Sequence, residues 1–158
     1  QEGKPELPVY LFGHSAGGQF LSRVAAFADS IDARRIVIAN PSSYVVANLN
    51  EAAPYGMGGV FDAATGEDAL RRYLGLPITV YLGGRDTGSY RLHSHPAAQR
   101  QGANRLERGR GVFERAAAMA RDLNTPFNWQ LVIAPGIDHS GSKMLKAEQV
   151  DVAFGLVQ

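Results

Sequence analysis

The chain has 158 residues, a formal net charge of +1 and no cysteine, and 45% of its residues are hydrophobic. This composition is typical of one globular domain, and the lack of cysteine excludes disulfides and cysteine-based metal sites. The nearly neutral charge argues against a dedicated nucleic-acid-binding protein. No apolar run approaches the ~20 residues that a membrane-spanning helix needs.

The first predicted elements surround a glycine-flanked serine. A short apolar run from Pro8 to Phe12 predicts a buried parallel strand. Residues 13–17 follow and have the sequence Gly-His-Ser-Ala-Gly, after which helical spacing of apolar residues predicts a helix over Ala16 to Ala28. A strand, a tight turn and a helix around Gly-x-Ser-x-Gly are typical of the nucleophile elbow of a serine hydrolase. The alternative is a glycine-rich turn without a catalytic role.

Sterics explain why such a serine is flanked by glycines. We expect Ser15 to occupy a strained turn, in which side chains at Gly13 and Gly17 would clash with the strand and the helix. We also expect Gly17 and Gly18 to let the helix pack closely on the sheet. The turn would place the hydroxyl at a helix N-terminus, where the dipole and free N–H groups favour a developing negative charge.

Strands and helices alternate along the rest of the chain. Three further strands are predicted from short runs rich in branched and aromatic residues: Arg35 to Ala39, Ile78 to Gly83, and Asn128 to Ala134. Helical spacing predicts three further helices: Gly66 to Tyr73, Arg105 to Leu123, and Ala147 to Leu156. This alternation predicts an α/β fold with a doubly wound, mostly parallel sheet that helices cover on both faces.

Two connections are long for such a fold, Ser42 to Thr65 and Thr87 to Asn104. Long loops in compact α/β domains usually shape a site or form a lid, and the alternative is a surface excursion without a role. Apolar side chains of the first loop form a candidate substrate pocket, with a place in the core as the alternative. We add His14 to the candidates, although its place in an elbow favours a packing role. These candidates are His14, Tyr44, Tyr55, Met57 and Phe61. The second loop carries His93 and His95, which we expect on the surface.

Five arginines lie close together in the sequence: Arg100, Arg105, Arg108, Arg110 and Arg115. They form either a phosphate-binding patch or the solvated face of a helix. Because Glu107 and Glu114 are interspersed among them, we expect a solvated helix face.

A serine nucleophile needs a base, and the base needs a carboxylate that fixes its tautomer. Such groups gather on loops beyond the carboxyl ends of parallel strands. Asp86 lies just past the third predicted strand, and His139 follows the last one. We therefore predict Asp86 as the acid and His139 as the base, with a structural turn or cap as the alternative role of Asp86.

Other carboxylates are weaker candidates for the acid. Asp62 lies within a loop, and Glu67 lies at a helix start. Asp138 is adjacent to His139 and is not expected to fold back onto it.

Three segments together resemble an α/β-hydrolase: Gly-His-Ser-Ala-Gly-Gly at 13–18, Gly-Gly-Arg-Asp at 83–86, and Pro-Gly-Ile-Asp-His at 135–139. The chain is similar to serine esterases of the polyhydroxybutyrate-depolymerase and feruloyl-esterase type, from Pro8 onward. The resemblance implies Ser15 as nucleophile, His139 as general base and then general acid, and Asp86 as the residue that orients it. It also implies that the backbone N–H of Ala16 donates to the oxyanion, and that no metal or organic cofactor is needed.

The elbow lies unusually early for this family, whose members carry about eight strands with the elbow after the fifth. Residues 1–158 are therefore expected to be the C-terminal half of a single α/β-hydrolase domain, with the N-terminal strands absent from this chain. An elbow strand without its neighbour would expose an edge, and a half-domain would struggle to offset its chain entropy. We expect an N-terminal segment of the same domain, as a separate chain, to be its partner.

The resemblance favours hydrolysis of a carboxylic ester, either a small molecule or a polymer, through an acyl-enzyme. Thioester and amide substrates use the same machinery, so the triad does not choose among them. Two alternatives remain open. One is a non-catalytic ligand-binding protein on a hydrolase scaffold, and the other is a half-domain that becomes active only when an N-terminal segment complements it.

Overall fold

One parallel sheet organises the computed structural model, which describes residues 7–62 and 64–157. Its strands lie in the order β1-β2-β3-β4, and every neighbouring pair is parallel. The strands are β1 (Tyr10–His14), β2 (Arg35–Ala39), β3 (Ile78–Gly83) and β4 (Gln130–Ala134). The carboxyl ends of parallel strands meet at one edge of the sheet, so the turns that follow all four strands lie together there.

Helices cover both faces of this sheet. They are α1 (Ala16–Phe27), α2 (Gly66–Gly75), α3 (Pro96–Gln99), α4 (Arg105–Asp122), α5 (Gly141–Met144) and α6 (Val150–Phe154). Side chains alternate along β2, so Ile36 and Ile38 join the larger core under α1, α2 and α4, whereas Val37 and Ala39 join a smaller core under α5 and α6. The predicted doubly wound α/β fold is confirmed. Among the described residues, no helix is long and apolar enough to cross a membrane.

The central strands match their predictions, and the outer strands differ at their ends. β2 and β3 have the predicted bounds. β1 begins two residues later than predicted and runs on through His14, because pairing with β2 continues as far as Ala39. β4 begins at Gln130 because Asn128 and Trp129 are engaged elsewhere: the Trp129 indole donates to the carbonyl of Tyr73, and the backbone N–H of Asn128 donates to α2.

The helices show two larger differences. The last predicted helix is confined to Val150–Phe154, since Gly155 ends it in a left-handed conformation with φ of 67°. The helices α3 and α5 were not predicted, because four residues are too few to show helical periodicity. The predicted first, second and third helices are confirmed with ends that shift by at most two residues.

Two arginines of α4 contradict the prediction of a solvated helix face. Arg105 is 2% exposed and Arg108 is 1% exposed, whereas Arg110 and Arg115 are exposed as expected. The Arg108 guanidinium is buried because it donates to the backbone carbonyls of Gly102, His93 and Ser42. Arg108 therefore connects the loops that follow β2 and β3. The acidic residues interspersed in the sequence did not indicate that Arg105 and Arg108 face inward.

Candidate active site

Ser15 lies at the junction of β1 and α1, at the position before the first helical residue, with φ of 55° and ψ of −114°. A positive φ is rare for a residue with a Cβ and is typical of strained turns at functional sites. The backbone N–H of Ser15 donates to the carbonyl of Ala39 over 2.9 Å, which fixes the turn against β2. The structure therefore contains the strand, tight turn and helix that the motif predicts.

The two motif glycines have different roles. A Cβ at Gly13 would overlap the backbone carbonyl of Gly17 and lie 2.9 Å from the nitrogen of Gly18, so only glycine fits there. A Cβ at Gly17 would meet no described atom within 4 Å, so the expected clash at that position is wrong. Close packing of α1 on the sheet depends on Gly18, where a Cβ would lie 3.0 Å from the carbonyl oxygens of Gly13 and Ala39.

Three predicted residues form a continuous chain of hydrogen bonds. The His139 ring lies with Nδ1 2.7 Å from Oδ2 of Asp86 and with Nε2 3.0 Å from Oγ of Ser15. With Asp86 ionised, Nδ1–H donates to the carboxylate, and Nε2 is left to accept from the serine hydroxyl. Asp86 is 2% exposed, so little water competes with His139 for this carboxylate.

Backbone contacts between two loops hold the acid and the base in register. Arg85 N–H donates to the carbonyl of Ile137 over 2.8 Å, and Gly84 N–H donates to the carbonyl of Ala134 over 2.9 Å. A Cβ at Gly83 would lie 2.6 Å from the oxygen of Ile137, so the loops approach too closely for a larger residue. Asp86 and His139 are therefore placed relative to each other by direct contact between the loops that carry them.

Asn40 supports the same edge of the sheet and was not predicted. It follows β2 with φ of 46°, a conformation that asparagine tolerates better than most residues. Its Oδ1 accepts a 2.8 Å hydrogen bond from the backbone N–H of Gly83. The Asn-Pro pair directly after a buried strand was the sequence signal for this turn.

Arg105 is a second residue that the sequence patterns did not reveal. Its Nη1 lies 3.6 Å from Oδ1 of Asp86, and both side chains are almost completely buried. The acid therefore contacts the histidine through one oxygen and faces a permanent cation through the other.

His14 packs directly on the candidate base. The His14 and His139 ring centroids are 4.7 Å apart, and a Cβ at Gly141 would lie 3.2 Å from the His14 ring. Among the described residues its buried Nε2 has no hydrogen-bond partner. Burial, followed by the charge of His139, lowers the pKa of His14. His14 is thus a neutral packing partner of His139 rather than part of a separate pocket.

We expect His14→Gln to weaken the dependence of stability on pH. The lowered pKa means that below the ordinary value of 6.5 the unfolded chain binds a proton at His14 that the folded chain resists. The free energy of unfolding of the wild type should therefore fall as the pH drops below about 6.5, until the folded-state pKa is reached. Urea denaturation between pH 5 and pH 7.5 measures this. His139 remains in both proteins, so identical slopes would contradict this account of His14.

The other candidate pocket residues are not gathered beside Ser15. Tyr44 and Met57 belong to the main core, where the side chain of Gln101 holds both the N–H and the carbonyl of Tyr44. Tyr55 packs in a separate cluster, and Phe61 packs against Phe27. Because Tyr44 and Met57 are almost completely buried, a substrate could not contact their side chains. These two residues are therefore part of the core.

The remaining candidates lie outside the hydrogen-bonded chain. His95 stacks on Tyr55 with ring centroids 4.7 Å apart, and its neighbour His93 lies 3.4 Å from the Tyr55 hydroxyl. Asp138 forms an exposed ion pair with Lys143, and their hydrogen bond lowers the pKa of Asp138. Across residues 7–62 and 64–157, no group of three or more His, Cys, Asp or Glu side chains is placed to hold a metal ion.

The helix after the serine offers a site for negative charge. Ala16 is the first residue of α1 and is exposed, and the first N–H groups of a helix have no partner within it. The Ala16 N–H therefore has no partner within α1 and lies directly after Ser15 in the chain.

The chain is similar to two solved hydrolase structures. One is LpqC, a poly(3-hydroxybutyrate) depolymerase from Bordetella parapertussis, with 36% identity, a TM-score of 0.85, and coverage of 96% of this chain and 50% of that protein. The other is poly(aspartic acid) hydrolase-1 from Sphingomonas sp. KT-1, with 35% identity, a TM-score of 0.80, and coverage of 98% and 55%. No protein-family model matches the sequence, and no curated protein matches it. The chain thus spans about half the length of the structures it matches, and its parallel α/β sheet has the fold of their C-terminal half.

Proposed function

We propose that this protein is a serine hydrolase that cleaves carboxylic esters through a covalent acyl-enzyme. The observation that carries the proposal is the hydrogen-bonded chain from Ser15 through His139 to Asp86, with the serine on a strained turn at a helix N-terminus. The names of both similar structures describe hydrolysis of a polymer, which supports hydrolysis in general.

The first half of the reaction forms the acyl-enzyme. Nε2 of His139 takes the Ser15 proton as the oxygen attacks the ester carbonyl, and the carbonyl electron pair moves to an oxyanion at the N–H of Ala16. Asp86 stabilises the imidazolium that forms. When the carbonyl re-forms, the bond to the alcohol breaks and the alcohol leaves with the proton from His139.

The second half repeats these steps with water. His139 accepts a proton from water as the water oxygen attacks the acyl carbon. The tetrahedral intermediate then collapses, the acid is released, and His139 returns the proton to Ser15. No step in this sequence needs a metal or an organic cofactor. The substrate is a small-molecule or polymeric ester.

We also propose that N-terminal strands of the same domain complete the sheet. In the part of the chain that the structure describes, β1 pairs only with β2, and Phe20 and Val9 beside it are exposed. A half-covered elbow strand favours addition of a further strand at its free edge. This N-terminal part would also supply a second oxyanion donor.

Labelling with a fluorophosphonate, followed by peptide mapping and intact mass, tests the proposed function. We expect one adduct on Ser15 that disappears in Ser15→Ala and His139→Ala. Ser142→Ala is the matched control, because Ser142 is exposed and its hydroxyl contacts Ser140 rather than His139. Ligand-induced stabilisation without any adduct would instead support a binding protein. Labelling that requires an added N-terminal segment would support the half-domain.

Turnover of paired substrates tests the ester assignment. An ester and an amide with the same acyl group share the attack step and differ in the leaving group. We expect hydrolysis of the ester at a much higher kcat/KM than that of the amide, and faster hydrolysis of the amide would contradict the assignment.

A further inference from the structure

We propose that Arg105 is a positioning residue that holds the Asp86 carboxylate in place for His139. The inference rests on the proposed function, because it assigns a role within the same site. It is carried by the approach of the buried Arg105 guanidinium to the buried carboxylate, together with the backbone contacts that fix both groups.

Burial of Asp86 favours a countercharge beside its carboxylate. A carboxylate that is 2% exposed loses most of its hydration, and this favours the neutral acid unless an opposite charge or hydrogen bonds compensate. His139 is neutral in the resting state of the proposed cycle, so it supplies a positive charge only transiently. Arg105 is 3.6 Å from Oδ1 and keeps its charge throughout.

The position of Arg105 is fixed by contacts of its guanidinium group and by contacts of the adjacent main chain. Its Nη2 donates to the backbone carbonyls of Tyr90 and Arg91 over 3.0 and 3.1 Å. One residue along α4, the N–H of Leu106 donates to the carbonyl of Asp86 over 3.3 Å. The first turn of α4 therefore holds the acid through its side chain and its main chain, and it ties the loop after Asp86 to the same point.

The surrounding charges set the direction of the expected effect. The titratable groups around this site are His139, which contacts Asp86, and His14 and Tyr44, whose own pKa values respond to the charge of Asp86 from β1 and from the loop after β2. Removing the cation makes the electrostatic potential at the Asp86–His139 pair more negative. A more negative potential favours the binding of a proton by the pair. Protonation of this pair stops general-base catalysis.

The test compares Arg105→Met, Arg105→Gln and Arg105→Lys in the intact protein. For the two neutral variants we expect the acid limb of kcat/KM to move to higher pH, with a fall in kcat that exceeds any change in KM. Arg105→Lys keeps the charge and should keep the limb within a few tenths of a unit. The control is Arg108→Met, which removes the other buried arginine, whose contacts are loop carbonyls rather than Asp86. Its acid limb should not move.

A second readout does not need turnover. The proton between His139 and Asp86 gives a low-field NMR signal, which we expect to weaken or shift in the neutral variants and to persist in Arg105→Lys and Arg108→Met. An unchanged signal and an unchanged acid limb in a folded neutral variant would overturn the proposal. A wild type with this signal but without Ser15 labelling would count against the proposed function and leave the positioning role intact. If both neutral variants fail to fold, a shifted limb or a lost signal in Arg105→Lys overturns it.

Discussion

Replacing Ser15 with alanine is expected to lower kcat for ester hydrolysis by about 10⁵- to 10⁶-fold and to leave KM nearly unchanged. The variant loses the only atom within hydrogen-bonding reach of Nε2 of His139 that can attack a carbonyl in the described site. Its stability should stay close to that of the wild type, because alanine and serine meet the same strain at a φ of 55°. Steady-state kinetics with an activated ester and urea denaturation measure the two quantities.

The double variant Ser15→Ala with His139→Ala gives the sharper test. Residues that act as one unit lose their whole contribution when any one of them is removed, so the double variant should be no slower than Ser15→Ala alone. The matched control Ser142→Ala should keep the wild-type rate. If the fold-decreases in kcat of the two single variants multiplied in the double variant, Ser15 and His139 would act independently. That result would contradict a role for their shared hydrogen bond.

Alanine at Gly13 is expected to cost about 3 kcal/mol or more in the free energy of unfolding. The added methyl group would overlap the Gly17 carbonyl, and the overlap is with backbone that cannot rotate away. The elbow would have to open, so activity should fall together with stability. Urea denaturation followed by fluorescence of Trp129, which packs in the core, reports the change.

Gly17→Ala is the matched control in the same motif. Its added Cβ meets no described atom within 4 Å, and the residue lies inside α1. Replacing glycine by alanine in a helix gains about 0.5–1 kcal/mol, so we expect a small stabilisation. Equal unfolding midpoints for the two variants would show that close packing around Gly13 does not constrain the elbow.

Much of the fold was predictable because parallel strands have strong local signals. Continuous branched residues mark β2 and β3, whose bounds are as predicted, and helical spacing marks α1 and α4. The three residues of the hydrogen-bonded chain were predictable for a topological reason. Each follows the carboxyl end of a strand, and such ends meet at one edge whatever the loops between them do.

What the sequence did not reveal depends on contacts distant along the chain. Arg105 and Arg108 lie on a helix with acidic neighbours, and only the loops that receive their hydrogen bonds explain their burial. The same holds for Tyr44, whose backbone is held by Gln101, 57 residues away. An aromatic side chain in a long loop has the same appearance in sequence whether it lines a pocket or fills a core.

The strand order places the strands that carry Ser15 and His139 at opposite margins of the described sheet. Ser15 follows β1 and His139 follows β4, so the loop after β4 crosses three interstrand spacings, roughly 14 Å of sheet width, to bring His139 within hydrogen-bonding distance of Ser15. Asp86 and His139 lie on loops that follow adjacent strands and contact each other. Ser15, in contrast, follows the strand at the far side of the sheet. Separation of β1 from its neighbour would remove Ser15 and leave Asp86 and His139 in contact. Mild denaturant should therefore abolish activity before the bulk of the core is exposed, and amide exchange in β1 should follow the loss of activity.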